Sequence, residues 1–420
     1  MSGLKERLGR LTRSSGAASP KQETRPSGRS AADDVRWAAL GFELQEAAGG
    51  SCLIREVLFP SDHKHGHFSV GELSSIAASL SRLDPSGREL EPHRLLFLDT
   101  ETTGLGQGAG NIPFMIGAGY WTKRGFTVRQ FVIRHPGEEA AMLETLREML
   151  SSASHLVTYN GRSFDWPLIK NRFVMNRLSA PKEPGHFDFL YPSRSLWRTT
   201  MPSVRLGAVE EGKLGVFRRD DVPGSMAPAL YFQYLAENDP SVLEGVVRHN
   251  ETDILTLLTL AVHFGKLLDG GMQLERMKTP ELHRLGLWYE RLGFEEDAQR
   301  VYEALAERPV SDTHPYLHDA ALFYKKHKKW GLAAELWKTA VEAGRGFRVS
   351  SIEPYIELAM IYEHRYKNAD EALYWTEEAL RSAQTRLSLS GSGAETRLRE
   401  AIADLNKRRE RLLKKQRTLF

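Results

Sequence analysis

The sequence predicts a mixed α/β sheet flanked by helices, followed by an all-α array of helical repeats. Three observations carry that expectation. A continuous apolar run, HRLLFLDTE at residues 93–101, reads as a central strand covered on both faces. Downstream of it, strand and helix patterns alternate as far as Gly270 and Gly271. Beyond that point small residues recur at spacings of 35 and 39, set by Ala298, Ala333 and Ala372.

A chain of 420 residues, 41% apolar and 26% charged, has room for two or three domains with ample core. No stretch approaches the ~18 consecutive apolar residues of a membrane span, and no apolar segment follows the basic N-terminus as in a secretory signal. A cytoplasmic protein without membrane partners is expected. Cys52 is the one cysteine, which excludes an internal disulfide and a multi-cysteine zinc site. A bound metal would therefore be held by oxygen or imidazole. The net charge of +3 is small, but the ends are basic: Lys407 to Arg417 holds seven basic residues against one acidic, and residues 1–34 hold seven against four. Basic ends can follow a phosphate backbone or serve as solvated tails.

In chain order, residues 1–34 lack apolar periodicity and are expected to be disordered. Residues 35–90 read as a lead-in: SCLIREVLFP as a strand, a polar turn holding His63, His65 and His67, and a helix around GELSSIAASLSRL. With Asp62 as its one carboxylate, the turn is expected to be an exposed loop rather than a metal site. Residues 91–270 then give a strand, a hairpin of PFMIGAGYWT and GFTVRQFVIR around Lys123-Arg124-Gly125, a helix over 138–152, a strand in HLVTYN, and a helix from Asp165 with Pro167 in its first turn. That order is a ribonuclease H-like layout. Residues 186–235 read as short helices and loops, and Ser241 to Leu268 as one strong helix.

Residues 280–385 carry the repeats. Tyr302, Trp337 and Thr376 lie four residues after the aligned alanines, and Tyr289 and Tyr324 nine before the first two. These spacings resemble tetratricopeptide repeats, whose period is about 34. The third copy departs, with Glu363 at the tyrosine position. A basic helix over 394–420 closes the chain.

The chemistry centres on LLFLDTETTGL. On a strand, Asp99 and Glu101 share a face, where two carboxylates repel unless a cation lies between them. Magnesium or manganese, hard ions preferring oxygen, would relieve this; solvated acids at an exposed strand end are the simpler alternative. Asp165 follows the strand HLVTYN by a short loop that returns it to the same sheet edge, although Asp before a helix is also a good N-cap. His249 and Asp253, four apart on a helix, share one face near Asn250. The glycine run at 104–110 opens a strand rather than a helix, so it reads as a flexible loop beside the site and not a dinucleotide fingerprint. Thr102 and Asn160 are the expected nucleic-acid contacts; Phe164, Trp166 and Trp197 are expected in the core, with base stacking as the alternative.

Together FLDTETTGL, YNGRSFDWPL and HNETDI resemble the three exonuclease motifs of the DEDD superfamily. The closer likeness is to the YprB-type ribonuclease H-like exonucleases of bacteria, with SRSLWR and DDVPGSMAPALYFQYL as lesser signatures and tetratricopeptide-like helices following the nuclease fold. The resemblance covers roughly residues 50–385 and implies a two-metal 3′-5′ exonuclease. It implies that Asp99 bridges two Mg²⁺ or Mn²⁺ ions, that Glu101 and Asp253 hold the one carrying the attacking water, and that Asp165 helps hold the other. His249 would accept the water's proton. By the same resemblance the substrate is DNA, the setting DNA repair like that of the mitomycin-repair exonuclease, and the partner a DNA helicase. The histidine type of the superfamily usually places its base one residue further from the last Asp than His249 stands from Asp253, where this chain has Arg248; an arginine cannot be deprotonated, so His249 keeps the role. The rival readings are a 3′-5′ exoribonuclease and a non-catalytic adaptor acting through the repeats.

Overall fold

The structure, a computed structural model, describes residues 31–87, 90–104, 110–344, 351–389 and 395–418. Residues 1–30 and 105–109, which bear the expectations of a disordered basic segment and a flexible glycine loop, lie outside them. The chain opens with α1 (Ala31–Ala39), β1 (Glu43–Ala47), β2 (Gly50–Phe59), a small hairpin of β3 (Lys64–His65) and β4 (Phe68–Ser69), and α2 (Glu72–Leu80). Next come β5 (Leu95–Thr102), β6 (Pro113–Thr122), β7 (Gly125–Val132), α3 (Glu139–Ser152), β8 (His155–Thr158), α4 (Asp165–Met175), β9 (Gly185–Asp188) and α5 (Leu190–Trp197). A short α6 (Leu206–Val209) runs into a π-helical turn at Glu210–Leu214, and α7 (Ala227–Glu237) precedes the long α8 (Glu244–Leu268).

The seven main strands form one sheet in the order β1-β2-β7-β6-β5-β8-β9. Four antiparallel pairings run from β1 to β5, and β5-β8-β9 continue in parallel, which makes it the mixed sheet the element order predicts. Two features were not legible in advance. The lead-in strand β2 pairs with β7 along its length, from Leu53 opposite Val132 to Phe59 opposite Phe126, so it is continuous with the main sheet. Residues 186–188, read as part of a run of short helices and loops, instead belong to the parallel edge strand β9, because their pairing partner β8 is set by the sheet and not by local pattern. The histidine turn also differs from an exposed loop. His65 bonds Thr256 Oγ1 at 2.9 Å, His67 N–H donates to the Leu214 carbonyl, and burial pushes the His65 imidazole down to about 4.

Alternation along β5 divides the core. Leu95 and Phe97 face one apolar cluster, Leu96 and Leu98 the other, as the two-residue period of a strand requires. Asp99 and Glu101 continue the first set, on the face covered by α8. From Asp253 to Leu268 nearly every residue of α8 is buried, the mark of a helix enclosed by protein all round. Its approach is permitted by two glycines of β6: a Cβ on Gly119 would fall inside contact distance of Ile254, and one on Gly117 inside that of Asn250.

The helical region follows with α9 (Thr279–Leu292), α10 (Glu295–Ala306), α11 (Val310–Thr313), α12 (Leu317–Lys326), α13 (Trp330–Gly344), α14 (Glu353–His364), α15 (Ala369–Leu389) and α16 (Glu395–Thr418). Ala298, Ala333 and Ala372 are fully buried on α10, α13 and α15. The first apolar cluster runs without a break from Phe97 on the sheet through α8 to Trp337 and Leu380, so the helices share a core with the sheet. The basic C-terminal run is not a solvated tail. It lies on α16, where Arg411 and Lys415 bond Glu363 at 2.8 and 2.9 Å and Arg408 approaches to 3.8 Å. Glu363 is 1% exposed, and its departure from the tyrosine of the first two repeats is explained by this docking. Among the described residues no helix is long and apolar enough to cross a membrane.

Candidate active site

Asp99 and Glu101 lie at the C-terminal end of β5, where the register slips between Glu101 and Thr102 against β6. Asp99 is half-buried and Glu101 buried. Asn250 Nδ2, from α8, donates to Asp99 Oδ2 at 2.9 Å, and its own Oδ1 accepts from Gln130 Nε2 at 3.0 Å. Both acids are pushed well above the usual carboxylate range, first by burial and then by neighbouring charge: Asp253 and Asp165 act on Asp99, and Asp99, Asp253 and Asp165 on Glu101. The three chain segments therefore converge on one electrostatic site.

Asp165 opens α4 but does not cap it. Phe164 is the N-cap residue, and the Asp165 carboxylate turns to accept from the Thr100 hydroxyl. Burial lifts its pKa to about 6 against the lowering effect of that hydrogen bond, and the charge of Asp188 adds to the rise. Asp253 is buried on α8 and ion-paired with Arg218, while its Oδ2 lies 3.6 Å from His249 Nε2. Its pKa is raised by burial, opposed by Arg218 and His249.

Arg218 is held from behind by Glu210, with Nε to Oε2 at 2.7 Å and Nη2 to Oε1 at 2.5 Å; Thr256 also donates to Glu210. His249 Nδ1 lies 2.9 Å from Asp221 Oδ1 and 3.0 Å from Arg218 Nη1. A carboxylate only accepts and a guanidinium only donates, so these two contacts call for opposite tautomers. Donation of Nδ1–H to Asp221 leaves Nε2 with its lone pair toward Asp253, the arrangement a base requires. Arg248, the residue at the other spacing, is exposed and pairs with Glu244 at 3.3 Å.

Thr102 Oγ1 donates to the Gly104 carbonyl at 2.7 Å, and Asn160, at φ 68°, donates its N–H to Asp188 Oδ1 at 2.7 Å. Trp166 and Trp197 are core residues whose indole N–H groups reach Glu183 and Glu281. Phe164 is 46% exposed beside Asp165.

Residues 96–264 match the RNase_H superfamily. A Bacillus subtilis (strain 168) protein described as uncharacterized protein YprB is 35% identical over 362 residues, covering 84% of this chain and 86% of that protein. The chain belongs to the YprB family of the RNase_H superfamily.

Nucleases of this superfamily typically use divalent ions such as Mg²⁺ or Mn²⁺. The donor set of this YprB-type chain fits them in kind, because its carboxylates are hard oxygen ligands and neither Asp99 nor Glu101 forms an ion pair among the described residues. Among those residues no three acidic or imidazole groups are drawn together tightly enough to hold an ion as they stand. The physical reason is on view: Asp99 is turned to Asn250, Asp165 to Thr100 and Asp253 to Arg218.

The sequence reading missed Arg218, Asp221, Glu210 and Gly117. Arg218 belongs to an arginine pair and Asp221 to a segment quoted as a lesser signature of the YprB type, so position alone pointed to them. Nothing in the sequence marks Gly117, whose role comes from its place opposite Asp99 in the register.

Proposed function

We propose that the chain is a metal-dependent 3′-5′ exonuclease that hydrolyses phosphodiester bonds of DNA. The observation that carries this reading is the convergence of Asp99, Glu101, Asp165 and Asp253 on one buried site, where among the described residues the first two lack a paired cation. Asp99, Glu101 and Asp253 would hold one ion, and Asp99 with Asp165 the other. Two divalent ions at such a site stabilise the entering and leaving oxygens of a phosphoryl displacement. His249 takes the proton of the attacking water at Nε2, with Nδ1 anchored on Asp221. Thr102 and Asn160 flank the terminal nucleotide. The paired helices from α9 to α15 act as tetratricopeptide-like repeats that dock a partner, for which a DNA helicase in a cytoplasmic repair pathway is our choice.

Time courses on 5′-labelled and 3′-labelled DNA and RNA oligonucleotides, with Mg²⁺, Mn²⁺ or EDTA, test the reading. Stepwise shortening of 5′-labelled DNA, abolished by EDTA and by Asp99→Ala, is expected. A strong preference for RNA would make the chain an exoribonuclease. Full activity in Asp99→Ala would place any nuclease elsewhere and leave an adaptor role.

A further inference from the structure

Beside the carboxylate cluster, a cleft of about 640 Å³ opens between α5 of the sheet domain and α9 of the helical region. Its walls carry Arg162, Arg194, Arg198, Arg284, Arg291 and Tyr191. Among the described residues none of these five arginines forms an ion pair with a carboxylate. Arg162 donates to the His186 carbonyl, and Ser195 takes the other two anchored guanidiniums, its carbonyl from Arg284 at 2.7 Å and its hydroxyl from Arg291 at 3.0 Å. Arg284 and Arg291 lie two turns apart on α9, and Arg194 and Arg198 one turn apart at the end of α5, so each pair presents to one side of its helix.

One acid, Asp188, stands in the wall against five arginines. Asp188 accepts the backbone N–H groups of Asn160, Arg162 and Leu190 at 2.7, 3.0 and 3.1 Å, which fixes both its oxygens on the chain. His186 is neutral there, pushed by burial to about 4 and bonded to Thr158. Assembling five like charges beside one wall acid costs stability, and burial and then Arg291 lower the Arg284 pKa, with Asp319 opposing them. An anionic ligand offsets that cost.

We propose that this cleft is the track for the phosphodiester backbone of a single nucleic-acid strand whose end enters the carboxylate cluster. The proposal rests on the nuclease reading of that cluster. Continuity supports it: Asp188 in the wall accepts the backbone N–H groups of Asn160 and Arg162, and that same loop runs on to Asp165 three residues after Arg162. Guanidinium forks match phosphate oxygens bidentately, and Tyr191, 47% exposed, offers a ring for a base to stack on. The volume is that of a small-ligand site, which suits a few nucleotides of one strand and not a duplex. A peptide of acidic residues would meet the same charge but would have no reason to lead to Asp165.

The test uses the full chain and the double variant R194Q/R198Q, since both side chains are exposed and, among the described residues, neither makes a side-chain hydrogen bond or ion pair. Binding of fluorescent oligodeoxythymidylate and oligouridylate of about 20 and about 4 nucleotides is measured in EDTA over a salt series. Hydrolysis of thymidine 5′-(p-nitrophenyl phosphate) with Mn²⁺ reports the carboxylate cluster alone. The variant is expected to bind both long strands about tenfold more weakly, with the salt slope reduced by about 1.4 for two lost phosphate contacts. The short strands, which also lie in the cleft, should weaken with the long ones, and the ester rate should match wild type. Unchanged long-strand affinity and slope would overturn the track. Absence of ester and oligonucleotide hydrolysis by the wild type would instead overturn the nuclease reading, an outcome separate from the variant's binding.

Discussion

Arg218 bridges two acids through one nitrogen, its Nη2 donating both to Glu210 in the π-helical turn and to Asp253 on α8. Glu210 is almost wholly buried, so its charge depends on that guanidinium and the Thr256 hydroxyl. Breaking a buried pair from one side typically costs about 3–5 kcal/mol. Arg218→Met should therefore lower unfolding free energy by about 3 kcal/mol in urea at neutral pH. Asp253→Asn, which leaves the Glu210 pair in place, should cost far less; equal losses would show that Asp253 and not Glu210 is the anchor.

Asp99 and Glu101 should destabilise the metal-free protein. Their folded pKa values stand above the unfolded ones, so the stability tied to them is full below the ordinary carboxylate range and is lost as pH rises through the raised values. At pH 7 in EDTA, Asp99→Asn should unfold at higher temperature than wild type. Saturating Mn²⁺ should raise the wild-type midpoint and leave the variant's unmoved. A wild type that is the more stable of the two in EDTA would contradict the electrostatic account.

His249 depends on Asp221 for its tautomer. Asp221→Asn should reduce kcat about tenfold or more with KM unchanged, because the amide can donate to Nδ1 and favour the wrong tautomer. His249→Ala should lose roughly 10²–10⁴ in kcat and flatten the pH profile. Coincident profiles for His249→Ala and wild type would remove it as the base.

Gly117 has no functional group, yet its replacement should damage the site. An alanine Cβ there would displace the Asn250 amide, which holds Asp99 from one side and Gln130 from the other. Gly117→Ala is expected to cost about 1–3 kcal/mol from overpacking and to lower nuclease turnover, with circular dichroism of the fold retained. Wild-type turnover in this variant would show that Asn250 does not position Asp99.

Glu363 gives the helical region an acid-sensitive latch. Burial alone would raise its pKa, but hydrogen bonds from Arg411 and Lys415 outweigh it and hold the carboxyl down at about 2. A depressed folded pKa contributes stability above the ordinary value near 4.5 that is lost as pH falls toward 2. Hydrogen exchange in α16 should rise across that window in wild type. In Glu363→Gln it should be high already at pH 7 and nearly flat with pH.

Much of the molecule was legible because its signals are local. The strand of Asp99 announces itself by an unbroken apolar run, α8 by its length, and the helix pairs by recurring alanines that must be small where helices cross. The lead-in strand β2 could be read as a strand but not as a neighbour of β7, since pairing partners leave no mark at short range. The basic run at the C-terminus was read on a helix that could follow a phosphate backbone or stay solvated, and its docking was not legible because the acid that captures it, Glu363, stands 48 residues from Arg411.

The sequence by itself determined that Asp99 and Glu101 would share a face at a strand end, Asp165 would open a helix, and His249 and Asp253 would share one face of a helix, because periodicity and turn residues act within a few positions. Only the tertiary structure decided what each acid meets. Arg218 on Asp253, Asn250 on Asp99 across Gly117, and five arginines lining one cleft are all contacts between segments far apart in the chain. Charge and close packing act through space, and the spacing of residues along the chain does not record which of them will be neighbours.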